Sequence, residues 1–426
     1  VIKKIDIHKI DIPKISAQKI NMYSDKRGIQ LIPFFACLLF LSLTTIHGFL
    51  FAQTYVGKKM VIIYPVVDMD TQLPSQEVQK QITASLPACP DTEKCFRAYQ
   101  GLYNELATCS AEQGDYVQLV YENIVYGFCQ NTKKPLNTFW TQKNNVIVLD
   151  SINDKKIEQA IPACLYAGKP TVVLIYPWKI FSVGTRFFHN SQQDKKDLYC
   201  IQYPDYKKKI VVTTYISKHY ALKERSLTDE SLIRLRFIKL INQLVDLVAK
   251  SSNDTKIIPY VWGGSSFIWP EQKDKSDFYK QDGVWRRHRN NKQKSKQYTG
   301  YDCSGFIMRM AKIAGVDFPW KTSWAIREKK RVLTKKDILK DGDIIWMPGH
   351  VMIVSNVKNN ELIEARGYGS EFGCVHRIKV SEFFDGIDTY QNLVTAYHAN
   401  KKIKYKNKNG IVGGKECEFK LLKLIG

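Results

Sequence analysis

The chain has 426 residues, 44% of them hydrophobic and 12% aromatic, which excludes global disorder and exceeds one ordinary domain. Its formal net charge of +23 suits an anionic partner such as nucleic acid, a membrane surface or a cell wall, but charge alone names none of them. Part of the excess is clustered, in WRRHRNNKQKSK (285–296) and KKIKYKNKN (401–409).

Residues 1–21, VIKKIDIHKIDIPKISAQKIN, read as low-complexity Lys/Ile sequence ahead of the first methionine, Met22. The expectation is a misassigned start, with translation beginning at Met22. Residues 22–52 then read as an export signal, because Lys26 and Arg27 precede the apolar run GIQLIPFFACLLFLSLTTI (28–46). The run is long for a signal peptide and short for a membrane span. A cleaved signal ending near Ala52 and a retained anchor over 28–52 both stay open, and either implies export to the periplasm or cell envelope.

Cysteine use agrees with an oxidising compartment. Six cysteines (Cys89, Cys95, Cys109, Cys129, Cys164 and Cys200) lie in the N-terminal half, and Cys374 and Cys417 in the C-terminal half. Even counts on both sides allow disulfides, with connectivity undetermined. No pair has C-x-x-C spacing, so zinc and thioredoxin-type sites lack support.

From residue 53 to 228 the sequence is strand-rich. KKMVIIYPVVDM, DYVQLVYENIVYGFC, NNVIVLD, TVVLIYPW and KKIVVTTYI are short β-branched and aromatic runs separated by turn residues, which predicts one or two small β-barrels, divided near residue 150. PACPDTEKCFRAYQGLYNELATC (87–109) reads as more helical, an insertion. The texture changes at LTDESLIRLRFIKLINQLVDLVAK (227–250), one helix with Thr228 as its N-cap. A helix over 303–314 follows, then a strand meander whose clearest members are DIIWM (343–347), HVMIV (350–354) and ELIEA (361–365). Helix followed by antiparallel sheet is an α+β arrangement.

The 303–314 helix carries the chemistry. Ile307, Met310, Ala311 and Ala314 share one face, Arg309 and Lys312 fall away from it, and Gly315 stops the helix. Asp302 and Ser304 are residue types that accept free backbone N–H groups at a helix start. Cys303 therefore lies in the first turn, where the helix dipole favours a thiolate. A lone buried cysteine is more often a small hydrophobe, so a partner is needed. His350, which opens a strand after Pro348 and Gly349, is the best base. A 350–354/361–365 hairpin centred on Val357 sets His350 opposite Glu364, Met352 opposite Leu362 and Val354 opposite Asn360, with Cβ atoms about 5 Å apart across each pair. Glu364 would then orient the imidazole, unless the register slips by one.

IPYVWGGSSF (258–267), YDCSGF (301–306) and LKDGDIIWMPGHVMIV (339–354) resemble the successive motifs of the NlpC-type cell-wall cysteine peptidases, over roughly residues 229–400. The resemblance implies a papain-like C-terminal domain, with the Cys-bearing helix packed on an antiparallel sheet. It implies hydrolysis of peptidoglycan stem peptides, often between γ-D-glutamate and a diamino acid, through a thioester acyl-enzyme. Cys303 would attack, His350 would shuttle the proton, and Glu364 would orient it. The Cys303 backbone N–H would serve the oxyanion. Tyr260, Asp302 and Ser304 would contact substrate, Asp302 being suited to a free amine, while Trp262, Gly263 and Gly264 would shape the turn and core. Neither metal nor organic cofactor is required. The third residue of such enzymes is usually His, Asn or Gln, so Glu364 is a departure. The long interval between Gly264 and Asp302, with its basic cluster, is another, and reads as a lid or a contact for anionic wall glycan. KKMVIIYPVVDM and IFSVGTRFF resemble the openings of two bacterial SH3-like domains, over 53–150 and 151–228. Residues 401–426 read as a basic tail. The competing expectations are a catalytically inactive wall-binding protein, and an amidase or acyltransferase on the same fold. No nucleic-acid recognition motif is in view.

Overall fold

The structure, a computed structural model, describes residues 54–73, 97–128, 134–162, 170–224, 227–249, 257–269, 278–281, 284–287, 299–367, 370, 372–413 and 415–426. The chain divides into Val1–Thr54 and Tyr55–Gly426. The expected start correction and export signal lie outside the described residues. Among the described residues no helix is long and apolar enough to cross a membrane.

The first β region is one seven-stranded antiparallel sheet. Its strands are β1 (Lys59–Ile62), β2 (Val66–Asp70), β3 (Arg97–Leu102), β4 (Leu106–Gln113), β5 (Tyr116–Val120), β8 (Thr138–Gln142) and β9 (Val146–Val148), in the order β3-β2-β8-β5-β4-β1-β9. A short pair, β6 (Gly127–Phe128) and β7 (Pro135–Leu136), stands beside it. The helical expectation for 87–109 fails where it can be read. Residues 97–102 and 106–113 are strands, because Ala98, Gln100 and Leu102 alternate with Arg97, Tyr99 and Gly101 and all six are buried between neighbours. After helix α1 (Lys155–Ala160), a five-stranded sheet follows, in the order β13-β12-β11-β10-β14. Its members are β10 (Thr171–Leu174), β11 (Arg186–His189), β12 (Leu198–Asp205), β13 (Ile210–Ser217) and β14 (Ala221–Lys223). An aromatic cluster of Tyr103, Phe181, Phe187 and Tyr203 joins the two β regions.

Helix α2 (Glu230–Ala249) is capped by Asp229, not Thr228: the Asp229 carboxylate accepts from the Ser231 and Leu232 amides at 2.7 and 3.2 Å. Next come β15 (Ser265–Ser266), a hairpin of β16 (Phe278–Gln281) and β17 (Val284–Arg287), β18 (Gly300–Tyr301), helix α3 (Cys303–Ala314) and helix α4 (Ser323–Lys329). The hairpin falls in the expected insertion, most of whose basic cluster lies outside the described residues. The second antiparallel sheet of five runs β22-β21-β20-β19-β23, with β19 (Ile344–Met347), β20 (His350–Asn356), β21 (Glu361–Arg366), β22 (Cys374–Lys379) and β23 (Lys420–Leu422). Helices α5 (Val380–Phe383) and α6 (Tyr390–His398) lie between β22 and β23.

Strand alternation divides the core around this sheet. Ile344, Trp346, Val351, Ile353, Ile363 and Ala365 pack in the cluster that holds α2 and α3. Ile345, Met347, Met352, Val354, Leu362 and Leu421 pack with Phe383, Tyr390 and Leu393 of α5 and α6. Residues 401–426 continue this fold rather than trail from it. Leu421, Leu422 and Leu424 are fully buried, and Lys423 Nζ reaches Asp343 at 2.6 Å. Asp343, from the Gly-Asp motif, also takes Arg234 of α2 at 2.8 Å, so one buried carboxylate ties α2, β19 and β23 together.

Among the described cysteines, Cys109, Cys200, Cys303, Cys374 and Cys417 are all free thiols. The C-terminal pair that the sequence allowed is therefore not joined, and Cys89, Cys95, Cys129 and Cys164 lie outside the described residues.

Candidate active site

The site begins with close backbone packing. Gly263 has φ +70, and a Cβ there would sit 1.9 Å from the Arg97 carbonyl oxygen. A Cβ on Gly305 would sit 2.0 Å from the Gly264 carbonyl oxygen. Both motifs need glycine because the 258–267 loop lies directly between β3 and the start of α3. Arg97 secures the loop, with Nη1 donating to the Trp262 carbonyl at 3.1 Å while Nε and Nη2 hold Asp68. Trp262 itself is 47% exposed, so the expectation that it fills the core is wrong; the loop turns its side chain outward.

Asp302 caps α3 as expected, its Oδ1 accepting from the Gly305 amide at 2.5 Å. Cys303 is the first helical residue and only 8% exposed. Its thiol is close enough to the His350 imidazole to favour the charged ring. His350 Nε2 lies 2.5 Å from Glu364 Oε2. Burial works against the charged imidazole, but the Cys303 and Glu364 bonds outweigh it and push the His350 pKa up to about 10. Burial likewise opposes the Glu364 carboxylate, yet His350 and His376 hold its pKa well below the usual range.

The hairpin that delivers Glu364 differs from the expected one. Ile353 pairs with Ile363 and Val354 with Leu362, and a bulge precedes the Asn356–Glu361 pair. The register is thus displaced by two residues. A shift of two keeps every side chain on its face, so the His350–Glu364 contact survives where a shift of one would have broken it.

The thiol at a helix start, the imidazole on a strand and the carboxylate behind it come from three separate segments in that order. Residues 258–376 match the NlpC/P60 family. Its members are cysteine peptidases or amidases of the cell wall, and the matched span covers less than a third of the chain. Among solved structures, NlpC2 from Trichomonas vaginalis is similar, with 14% identity over 77% of this chain and 94% of that one, and a TM-score of 0.28. No curated protein matches.

Around this matched span the remaining expected residues are placed as follows. Tyr260 is buried in the motif loop, its amide donating to the Gly373 carbonyl at 2.9 Å. Asp302 Oδ2 is already ion-paired to buried Lys321 at 2.7 Å, and Ser304 Oγ donates to the Lys321 carbonyl at 2.5 Å. A substrate amine would reach Asp302 only by sharing it with Lys321.

Three residues escaped the sequence reading. Lys321 is hidden because a lysine 19 positions away carries no local signal. Arg309 was placed on the solvent side of α3, yet it is 1% exposed. It binds Glu105 at 2.8 Å, Tyr99 at 3.0 Å and the Ser265 carbonyl at 2.8 Å, because the first β region covers that side of the helix. His376 faces Glu364 from the next strand, and alternation in CVHRIK, extended from the Glu364 strand, was the signal that could have found it.

Proposed function

We propose that this protein is an exported cysteine endopeptidase that hydrolyses peptidoglycan stem peptides at the γ-D-glutamyl–diamino acid bond. The observation that carries it is the Cys303–His350–Glu364 line, with the thiol at the N-terminus of α3. The Cys303 thiolate attacks the scissile carbonyl carbon, and the oxyanion forms beside the Cys303 backbone N–H. His350, protonated in the pair, gives its proton to the leaving amine as the C–N bond breaks, leaving a thioester. Water then adds with His350 as base, and its C–O bond replaces the C–S bond, restoring the thiolate and the imidazolium.

The Tyr260 hydroxyl contacts substrate in this reading, with Ser304 and the Asp302–Lys321 pair beside it. Export rests on the Lys26–Arg27 charge and the apolar run at 28–46. The two β regions act as SH3-like walls of the substrate cleft, supported by the docking of Arg97 on the motif loop. The basic segments favour an anionic wall.

The test is incubation of the purified protein and of Cys303→Ala with peptidoglycan and with free stem peptides, products being identified by mass. Cys303-dependent cleavage after γ-D-glutamate supports the proposal. Release at the sugar–peptide junction makes it an amidase. Tight wall binding without products from either protein makes it an inactive binder.

A further inference from the structure

Glu364 stands between two imidazoles. His350 Nε2 meets Oε2 at 2.5 Å, and on the other side His376 Nε2 lies 3.2 Å from Oε1. The β21–β22 register sets this, because Glu364 and His376 are directly opposed. Among the described residues neither Glu364 Oε1 nor His376 Nε2 completes a hydrogen bond, with each other or elsewhere, so their 3.2 Å approach is an ion-pair contact. The His376 ring is held by Phe372, stacked at 4.0 Å and 3°, and its Nδ1 lies 3.3 Å from the Cys374 carbonyl oxygen. A carbonyl and a carboxylate can only accept. An imidazole with a carbonyl oxygen on one nitrogen and a carboxylate at ion-pair distance from the other is favoured as the doubly protonated cation.

We propose that His376 is a positioning residue which, as a fixed imidazolium on Oε1, neutralises Glu364 so that a net-neutral carboxylate–imidazolium pair orients His350. On the reading of Cys303 as nucleophile and His350 as its base, on which this depends, the consequence is chemical. A bare buried carboxylate at 2.5 Å holds the His350 proton too firmly for a group that must return it to a leaving amine. A second cation beyond the carboxylate weakens that hold. His350, Glu364 and His376 then alternate in charge as imidazolium, carboxylate and imidazolium.

The other groups facing the cluster are accounted for. Arg366, on the strand of Glu364, has Nη1 3.5 Å from Oε1, beyond good hydrogen-bond length. Its guanidinium is fixed over the rings of Phe383, Phe372 and Tyr405 and donates to the Lys406 carbonyl at 2.9 Å. The Cys303 thiol faces His350 from α3, and the Cys374 thiol faces His376 from its own strand. Burial opposes the His376 cation, but Cys374 and Glu364 outweigh it and push its pKa up to about 9, so the charge persists through neutral pH.

The test reads the rate at which iodoacetamide alkylates Cys303, in short pulses from pH 5 to 11, quantified by mass on the Cys303 peptide. The alkaline inflection marks loss of the His350 proton. His376→Gln keeps an N–H for Oε1 but removes the charge, and should move that inflection up by about one pH unit. His376→Lys should return it, and His376→Gln should move nothing in a Glu364→Gln background, where no anion is left to offset. An inflection shared by wild type and His376→Gln overturns the proposal. If His376→Gln does not fold, imidazole resonances of the wild-type protein decide: a His376 ring charged above pH 8 supports it, and a neutral ring at pH 7 overturns it. Alkylation needs no peptide, so failure to cleave stem peptides would remove the proposed activity while leaving this readout intact.

Discussion

Arg309, in the middle of α3, reaches across to the first β region to hold Glu105 at 2.8 Å in the turn between β3 and β4. The pair is desolvated on the arginine side, where the side chain is 1% exposed. Burial alone would raise the Glu105 pKa, but Arg309 reverses this and lowers it. Removing one partner of such a pair costs far more than removing both, because a charge is left in the interior. Arg309→Ala should lose about 3–5 kcal/mol in urea unfolding, with Arg309→Met and Glu105→Gln together losing much less. Equal losses in the single and double variants would show that the arginine acts through packing alone.

The His350–Glu364 contact makes a prediction about pH. Glu364→Gln retains an acceptor for His350 Nε2 but removes the anion that favours the imidazolium. The His350 pKa should fall from about 10 by roughly one to three units, and the alkaline limb of Cys303 reactivity should fall with it. An unchanged limb in a folded variant would falsify the role of Glu364.

The same cluster sets a stability window. His350 and His376 have pKa values raised from 6.5 to about 10 and about 9, so their contribution is complete below pH 6.5 and is lost as pH rises through 9 and 10. Glu364 is lowered from 4.5, so its contribution is complete above pH 4.5 and is lost as pH falls below that value. The wild-type advantage in melting temperature over Glu364→Gln should therefore be greatest between about pH 4.5 and 6.5. A difference that stays flat from pH 4 to 10 would show that the cluster does not stabilise the fold through charge.

What the sequence disclosed follows from which forces are local. The α3 start was readable because Asp302 caps three residues ahead and the apolar spacing is helical. The alternation of Val351 and Ile353 with Met352 and Val354 sends them to opposite sides of the sheet. The exact register was not readable, because a bulge between Val354 and Asn356 leaves no mark in a hydrophobic pattern. Arg309 misled for a different reason: a charged residue on a helix is normally solvated, and only the β region packed on that face turns it into an anchor. Lys321 and His376 depend on contacts between segments far apart, or on strand order. Lys321 leaves no local signal, and the alternation in CVHRIK points to His376 only once its strand is paired with that of Glu364.

The glycine contact at the helix start predicts a catalytic loss. In Gly305→Ala the methyl group would begin 2.0 Å from the Gly264 carbonyl and 2.9 Å from Asp302 Oδ1, with backbone on one side and the cap on the other. Relief requires α3 to withdraw by about 1 Å, which displaces Cys303 from His350. A displacement of that size costs on the order of 100-fold in rate. Cys303 alkylation at pH 7 beside circular dichroism checks this: a folded variant with the wild-type rate would show that the loop yields instead of the helix.

The last strand offers the clearest separation between a tail and a structural element. A solvated basic extension can be removed at no cost. Here, deleting 419–426 removes Phe419, Leu421, Leu422 and Leu424, all buried, and strips β19 of its β23 partner. It also withdraws Lys423 from Asp343, leaving that carboxylate with Arg234 as its one charged partner among the described residues. Burying four such side chains contributes roughly 1.5–3 kcal/mol each, a sum comparable with the whole stability of a domain. The truncated protein should therefore fail to accumulate in soluble form, while charge removal by Lys401→Gln and Lys402→Gln, at exposed positions in the same stretch, should leave melting unchanged. A soluble truncation with wild-type melting would return residues 419–426 to the status of an appendage.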